Sequence, residues 1–189
     1  KWLTHMRRHY MKDGLMTKDK YGDWCVPPED IKMIHSRDPK RQTDGTLIAS
    51  AYYYRLNRLM ERFAKMLSKD ADAAEYAAEA ERVKDAFNKK FLTVNRGTSL
   101  VPGLLLYPDS TFYGNNTVTA NLLPYAFDMI DDDYVRSEVE KNIIKNIITD
   151  NKAMISCGVI GVQWLMHGLT DMGRADMAWL LASNKGYPS

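Results

Sequence analysis

The sequence predicts an all-α fold of stacked helical hairpins. Three observations carry this. Apolar residues recur at steps of three and four along most of the chain, the spacing that places them on one face of a helix. Cap residues and glycines stand where those stripes begin and end. The stripes also differ in charge. Those at 118–129 and 162–169 carry few charged residues, whereas those at 48–66 and 135–148 have strongly charged opposite faces. An inner ring of buried helices and an outer ring of half-exposed ones would read this way.

Taken in order, the first dozen residues read as the end of a helix. Residues 13–45 are not helical, because Gly14, Gly22, Pro27, Pro28, Pro39 and Gly45 interrupt any period. The first long stripe is Ile48, Tyr52, Leu56, Leu59, Phe63, Met66, with Asp44 or Thr46 placed to cap it by accepting from unpaired backbone amides. The second is Tyr76, Ala80, Val83, Phe87, Phe91, with Asp70 or Asp72 as its cap.

Residues 93–116 again lack a helical period and hold Gly97, Pro102, Gly103, Pro108 and Gly114. Unstructured stretches of that length are uncommon in compact domains and are often functional. The third stripe is Val118, Leu122, Tyr125, Met129, with Pro124 predicting a kink or a late start. Asp132 or Asp133 opens the fourth, Val135, Val139, Ile143, Ile147. The fifth uses Val162, Leu165 and Leu169 and is stopped by a left-handed turn at Gly173. The sixth uses Met177, Leu180 and Leu181. That makes about seven helices. No fixed repeat period emerges, which argues against a regular helical solenoid.

Composition narrows the function classes. The 189 residues are 45% hydrophobic and 26% charged, the usage of a globular chain rather than a disordered one. With 26 basic and 24 acidic residues the formal charge is +2, so bulk electrostatics point to neither nucleic acid nor anionic lipid. No apolar run approaches the roughly 18 residues of a membrane span. The two cysteines, Cys25 and Cys157, match no zinc spacing and no disulfide framework; they permit either redox compartment.

The segment Tyr21-Gly22-Asp23-Trp24-Cys25-Val26-Pro27-Pro28-Glu29 places an aromatic plane beside a carboxylate in a Gly/Pro-framed loop. Sugar recognition uses that pair: the ring face packs on the apolar C–H face of a pyranose, and the carboxylate accepts from hydroxyls. The structural alternative is that Trp24 anchors the loop on the core and Asp23 caps a turn. Asp23 and Glu29 also read as an acid/base pair, although glycoside hydrolysis needs a carboxylate separation that sequence does not give.

Phe112-Tyr113-Gly114-Asn115-Asn116-Thr117 puts amides and aromatics before a helix, as a pocket lining or as a turn and cap. The glycines of Ser156-Cys157-Gly158-Val159-Ile160-Gly161 allow close backbone approach. Packing is favoured there, because no Lys or second Gly-rich turn completes a phosphate loop. His35 and His167 have no partner at metal spacing and read as structural or solvated. Asp131-Asp132-Asp133 reads as helix capping rather than a calcium loop. Cys25 has no basic neighbour to activate it.

Several stretches resemble the catalytic domain of bacterial α-L-rhamnosidases, glycoside hydrolase family 78. They are Tyr21-Gly22-Asp23-Trp24, Ala49-Ser50-Ala51-Tyr52-Tyr53-Tyr54, Thr117-Val118-Thr119-Ala120-Asn121-Leu122 and Cys157-Gly158-Val159-Ile160-Gly161. Leu169, Gly173, Asp176-Met177-Ala178 and Tyr187-Pro188-Ser189 follow in order. The resemblance implies part of an (α/α)6 barrel that hydrolyses terminal α-L-rhamnose with inversion, using two acidic side chains. It supports Asp23 and Trp24 as substrate-binding residues; Asn116 joins them from the pocket-lining reading of residues 112–117, and neither a cofactor nor a metal is expected. The expected partners are a rhamnose-containing glycoside or polysaccharide and the remaining segments of the same polypeptide, with no nucleic acid and no membrane span.

The family's general-acid run, D-C-P-x-R-x-E-R-x-G-W, does not occur in the chain. Its general base belongs to a G-A-T-T-x-W-E segment that follows the Tyr-Pro-Ser stretch, and the sequence stops at Ser189. The resemblance therefore implies catalytic acids outside residues 1–189, with neither Asp23 nor Glu29 inheriting their roles. It also implies that 1–189 is a portion of a single catalytic domain truncated at both ends, since a full barrel needs twelve helices. Val118 departs from the Gln often found there, which removes any polar contact of that side chain. Two other readings remain: an (α/α)6 enzyme for a different sugar, and a non-catalytic helical interaction domain.

Overall fold

The computed structural model describes residues 1–27, 38–101, 104–107 and 110–186. Glu29, His35 and Tyr187-Pro188-Ser189 lie outside the described residues. The chain forms two compact units, one from Lys1–Gly22 with Asp44–Phe91 and one from Asp23–Thr43 with Leu92–Ser189. Among the described residues there are seven α-helices and three short antiparallel strand pairs. No helix among them is long and apolar enough to cross a membrane.

In the first unit, α1 (Trp2–Tyr10) runs into β1 (Met11–Lys12) and β2 (Leu15–Met16). The two strands pair through a two-residue turn in which Asp13 and Gly14 both have positive φ, the geometry that Asp-Gly favours in tight hairpins. The helical hairpin α2 (Gly45–Met66) and α3 (Asp70–Phe91) follows. Asp44 caps α2, its carboxylate accepting from the amides of Thr46 at 2.7 Å and Leu47 at 3.4 Å. Asp70 and Asp72 lie inside the first turn of α3 rather than before it, where their charge still opposes the helix dipole.

The stripe of α3 is buried as its period predicts, from Ala80 through Phe91. That of α2 is not. Its buried face runs through Leu47, Ser50, Ala51, Tyr54, Asn57 and Ala64, which at about 100° per residue lies on nearly the opposite side of the helix from the counted stripe. Phe63 and Met66 project into solvent. Small and hydrogen-bonded residues carry this face: Ser50 Oγ accepts from the Met16 amide at 2.9 Å, and Asn57 donates to the Tyr53 carbonyl at 2.8 Å. Buried Glu79 accepts from Tyr53 and pairs with Arg7 and Arg82.

In the second unit, residues 93–116 are not an unstructured connection. β3 (Leu92–Asn95) pairs with β6 (Ser110–Tyr113), and β4 (Thr98–Val101) pairs with β5 (Leu104–Tyr107). Next come α4 (Val118–Ala126) and α5 (Asp133–Lys145), a π-turn at Asn146–Asp150, α6 (Val159–Asp171) and α7 (Ala175–Ser183). Every residue of α4 from Val118 to Tyr125 is buried. Pro124 falls in its last turn and the helix ends at Ala126, so the expected late start does not occur.

Thr117 caps α4 by accepting from the Ala120 amide at 3.2 Å, and Asp132 caps α5 by accepting from the Val135 amide at 3.0 Å. Val135, Val139, Ile143 and Ile147 are buried as their spacing predicts. Gly173 follows α6 with φ +73°. On α6 and α7 the expectation fails at Val162 and Leu180, which are exposed. The buried face of α6 runs through Gly161, Leu165, Gly168 and Leu169 instead. The glycines explain the difference. A methyl at Gly161 would overlap Thr119 and Cys157, and one at Gly168 would overlap Leu122, so α4 and α6 approach through them.

Candidate functional site

The Gly-Asp-Trp loop is built around the amino end of α6. An α-helix begins with four backbone amides that have no partner within it, and Gly158 at this end has no side chain to supply one. Residues 23 and 24 supply all four partners. Asp23 Oδ2 accepts from the Gly158 amide at 2.9 Å, and Oδ1 accepts from the Ile160 and Gly161 amides at 3.0 and 3.1 Å. The Trp24 carbonyl accepts from the Val159 amide at 2.9 Å. Thr119 Oγ1, on α4, donates to Asp23 Oδ2 as well.

A buried carboxylate with four donors is a strong clamp, because hydrogen bonds to an ionised acceptor are worth about 1.5–3 kcal/mol each. The clamp also dictates the glycine: a Cβ at 158 would run into the Trp24 carbonyl oxygen and the Asp23 side chain. Flanking positive φ values at Gly22 and Cys25 turn the chain into and out of the loop. Asp23 is thus buried and committed to backbone and hydroxyl donors, Trp24 is half-buried, and Tyr21 is exposed.

Asn116 stands on the turn before α4, with φ +61°. Its Oδ1 accepts from Asn121 Nδ2 at 2.7 Å, and its Nδ2 reaches Asn142 Oδ1 only at 3.5 Å. Asn121 in turn accepts from the Tyr113 amide at 2.9 Å. Together with the Thr117 cap, these bonds make residues 112–117 a turn and cap that also line a cavity. That cavity has a volume of about 300 Å³, and its wall includes Asn115, Asn116, Val118 and Ser156. Val118 borders it but is itself buried and brings no polar side-chain group.

The remaining expectations fall out simply. His167 is exposed on α6. Asp132 is a helix cap, and no metal-holding cluster of His, Cys, Asp or Glu occurs among the described residues. Cys25 is exposed, whereas Cys157 is buried; burial first, and then the neighbouring Asp23 charge, push its thiol well above the ordinary range. Sequence reasoning missed Thr119 as an Asp23 partner, and the π-turn beside the cavity. Gly158 was visible, but its reason was not, since that reason is a loop far upstream.

Comparisons with known proteins agree over the whole chain. A family model described as the bacterial alpha-L-rhamnosidase 6 hairpin glycosidase domain matches residues 1–189. An alpha-L-rhamnosidase of Formosa agariphila is 29% identical over 187 residues, covering 99% of this chain and 18% of that protein. One of Streptomyces avermitilis is 25% identical over 189 residues, covering 100% of this chain and 15% of that protein. The chain thus spans less than a fifth of the length of these curated relatives.

Among solved structures, the Streptomyces avermitilis alpha-L-rhamnosidase complexed with L-rhamnose superposes with a TM-score of 0.77 at 23% identity, covering 100% of this chain and 15% of that one. The alpha-L-rhamnosidase from Dictyoglumus thermophilum superposes with a TM-score of 0.77 at 24% identity, covering 100% and 19%. This likeness establishes the fold as part of an (α/α)6 barrel.

Proposed function

The chain belongs to the bacterial alpha-L-rhamnosidase six-hairpin glycosidase domain family, and on that premise we propose that it is a portion of the catalytic domain of an inverting glycosidase. In the full-length protein the reaction is removal of terminal α-L-rhamnosyl residues from a rhamnose-containing glycoside or polysaccharide. The observation that carries the reading is the presentation of Trp24. Its backbone is held against the first turn of α6 by the Asp23 clamp, while the residue as a whole is only half-buried. An indole on so anchored a backbone suits the C–H face of a deoxyhexose.

In this reading Asp23 serves substrate binding by fixing Trp24, since its oxygens are already engaged by four donors. For the same reason it is not a proton-transfer group. Asn116, at the cavity wall with a loosely held Nδ2, is positioned to donate to a sugar hydroxyl. The two carboxylates of an inverting mechanism stand about 6.5–9.5 Å apart across the scissile bond; we assign them to other segments of the same polypeptide. The chemistry needs no cofactor.

The test is hydrolysis of an aryl α-L-rhamnoside by the full-length protein, with proton NMR identifying the anomer released first. Release of β-L-rhamnose is expected. Trp24→Ala should weaken rhamnose binding about tenfold, the equivalent of about 1.4 kcal/mol. Absence of hydrolysis, initial release of the α-anomer, or unchanged rhamnose affinity in Trp24→Ala would overturn the reading.

A further inference from the structure

The cavity at the amino end of α4 carries more than Asn116. Two cationic side chains, Lys40 and Arg41, form part of its wall, and the segment that bears them is held in place. Asn115 Nδ2 donates to the carbonyls of Gln42 at 2.8 Å, Pro39 at 3.2 Å and Lys40 at 3.4 Å. The hydroxyls of Thr43 and Thr117 lie 2.7 Å apart. Across the cavity stands the π-turn, itself fixed by amides: Asn146 Oδ1 accepts from Asn151 Nδ2 and from Ser156 Oγ, both at 2.8 Å. Single-turn π segments occur often at functional sites.

We propose that this cavity is a subsite for an anionic sugar unit, carboxylated or sulfated, of the glycan that carries the rhamnose. The proposal rests on the glycosidase reading above. Its volume of about 300 Å³ lies at the lower end of small-molecule pockets, which run from about 300 to 1,000 Å³. The loosely held Asn116 Nδ2 offers a donor, and Ser156 Oγ, whose proton goes to Asn146, keeps acceptor capacity for a sugar hydroxyl. Lys40 and Arg41 set the charge preference, as two cations of the wall. The acid in the wall, Asp150, does not reverse this preference, because both of its oxygens accept from Lys145 Nζ at 2.8 and 2.9 Å.

The cavity wall and the partners of the Trp24 loop are close in sequence at two places. Thr117 and Val118 precede Thr119, which bonds Asp23, and Ser156 precedes the clamped turn at Gly158. On this proposal a sugar seated here lies beside one on Trp24.

Matched substrates test the idea in the full-length protein. Rhamnosyl-glucuronic acid, its carboxyl-reduced rhamnosyl-glucose counterpart and a 6-sulfated rhamnosyl-glucose are compared by kcat/KM. At least one anionic substrate should exceed the neutral one by about tenfold, and the advantage should shrink as ionic strength rises; which anion gains identifies the group recognised. In Lys40→Gln/Arg41→Gln the ratio of anionic to neutral kcat/KM should fall about tenfold. Equal rates across the three substrates, or an advantage that survives the double substitution or is insensitive to salt, would overturn the subsite. Because the wild-type ratio and its salt dependence need no variant, the proposal stays testable if the double substitution does not fold. Absence of all activity in the unsubstituted full-length protein, aryl rhamnoside included, would instead sink the glycosidase reading and this proposal with it.

Discussion

A single carboxylate organises the candidate site. Asp23 is buried, and its donors lie 96 to 138 residues downstream, so the chain closes on it only when α4 and α6 are in place. An aspartate followed by tryptophan in a Gly/Pro loop is legible as a site, but the donors that fix its role are not, because no local pattern ties residue 23 to residues 119 and 158–161. Asp23→Asn replaces one acceptor oxygen by an NH₂ that faces amide donors. At least one charge-assisted bond is then lost and a donor is left buried, at a cost of about 2–3 kcal/mol. Local opening at the start of α6 should rise accordingly. Amide hydrogen exchange at Gly158, Ile160 and Gly161 should accelerate about 30- to 150-fold, at 1.4 kcal/mol per tenfold. Unchanged protection at those amides would show that the helix start does not depend on the carboxylate.

Helices meet in the second unit through glycine, and the glycines are not equivalent. At Gly158 an added methyl would strike backbone, the Trp24 carbonyl oxygen; at Gly168 it would strike the tip of the Leu122 side chain; at Gly173 it would meet nothing within 4 Å. Backbone cannot yield without breaking the clamp, so Gly158→Ala should cost about 2–3 kcal/mol, in the range of overpacking. Gly168→Ala should stay within about 1 kcal/mol, because Leu122 can shift and alanine gains about 1 kcal/mol of helix propensity over glycine. Gly173→Ala should cost about 1 kcal/mol for its φ of +73° alone. Denaturant unfolding of the three variants checks the order; a Gly168→Ala loss exceeding that of Gly158→Ala would refute it. The same geometry explains which elements were legible. The stripes of α3 and α5 could be read because bulky residues lie on their buried faces. That of α2 misled beyond Ile48, and that of α6 at Val162 alone, because Ser50, Ala51, Gly161 and Gly168 carry contacts and period counting weighs large side chains. The strands at 92–113 were hidden because their pairing is between segments, while glycines and prolines near them read locally as loop.

At the scale of the whole chain, the two units share a property that local rules do not explain: large apolar side chains left in water. Phe63, Met66 and Leu67 are exposed together at the carboxyl end of α2, spaced so that they adjoin on one helix surface. Trp179 is 74% exposed on α7 with Leu180 beside it, and Val159 and Val162 are exposed one turn apart on α6. Isolated apolar residues at a surface are ordinary, but adjoining groups of them mark surfaces that are covered in use or that aggregate. Here the cover we propose is the rest of the polypeptide, given that the matched relatives are more than five times as long as the segment they share with this chain. The 189 residues expressed alone should therefore bind the dye ANS and elute above monomer size at micromolar concentration. Phe63→Gln, Met66→Gln and Trp179→Gln together should lower both signals while leaving the far-ultraviolet circular dichroism unchanged, since none of the three is buried. A wild-type segment that stays monomeric and dye-free would mean that these side chains need no cover, and a triple variant that still associates would place the adhesive surface elsewhere.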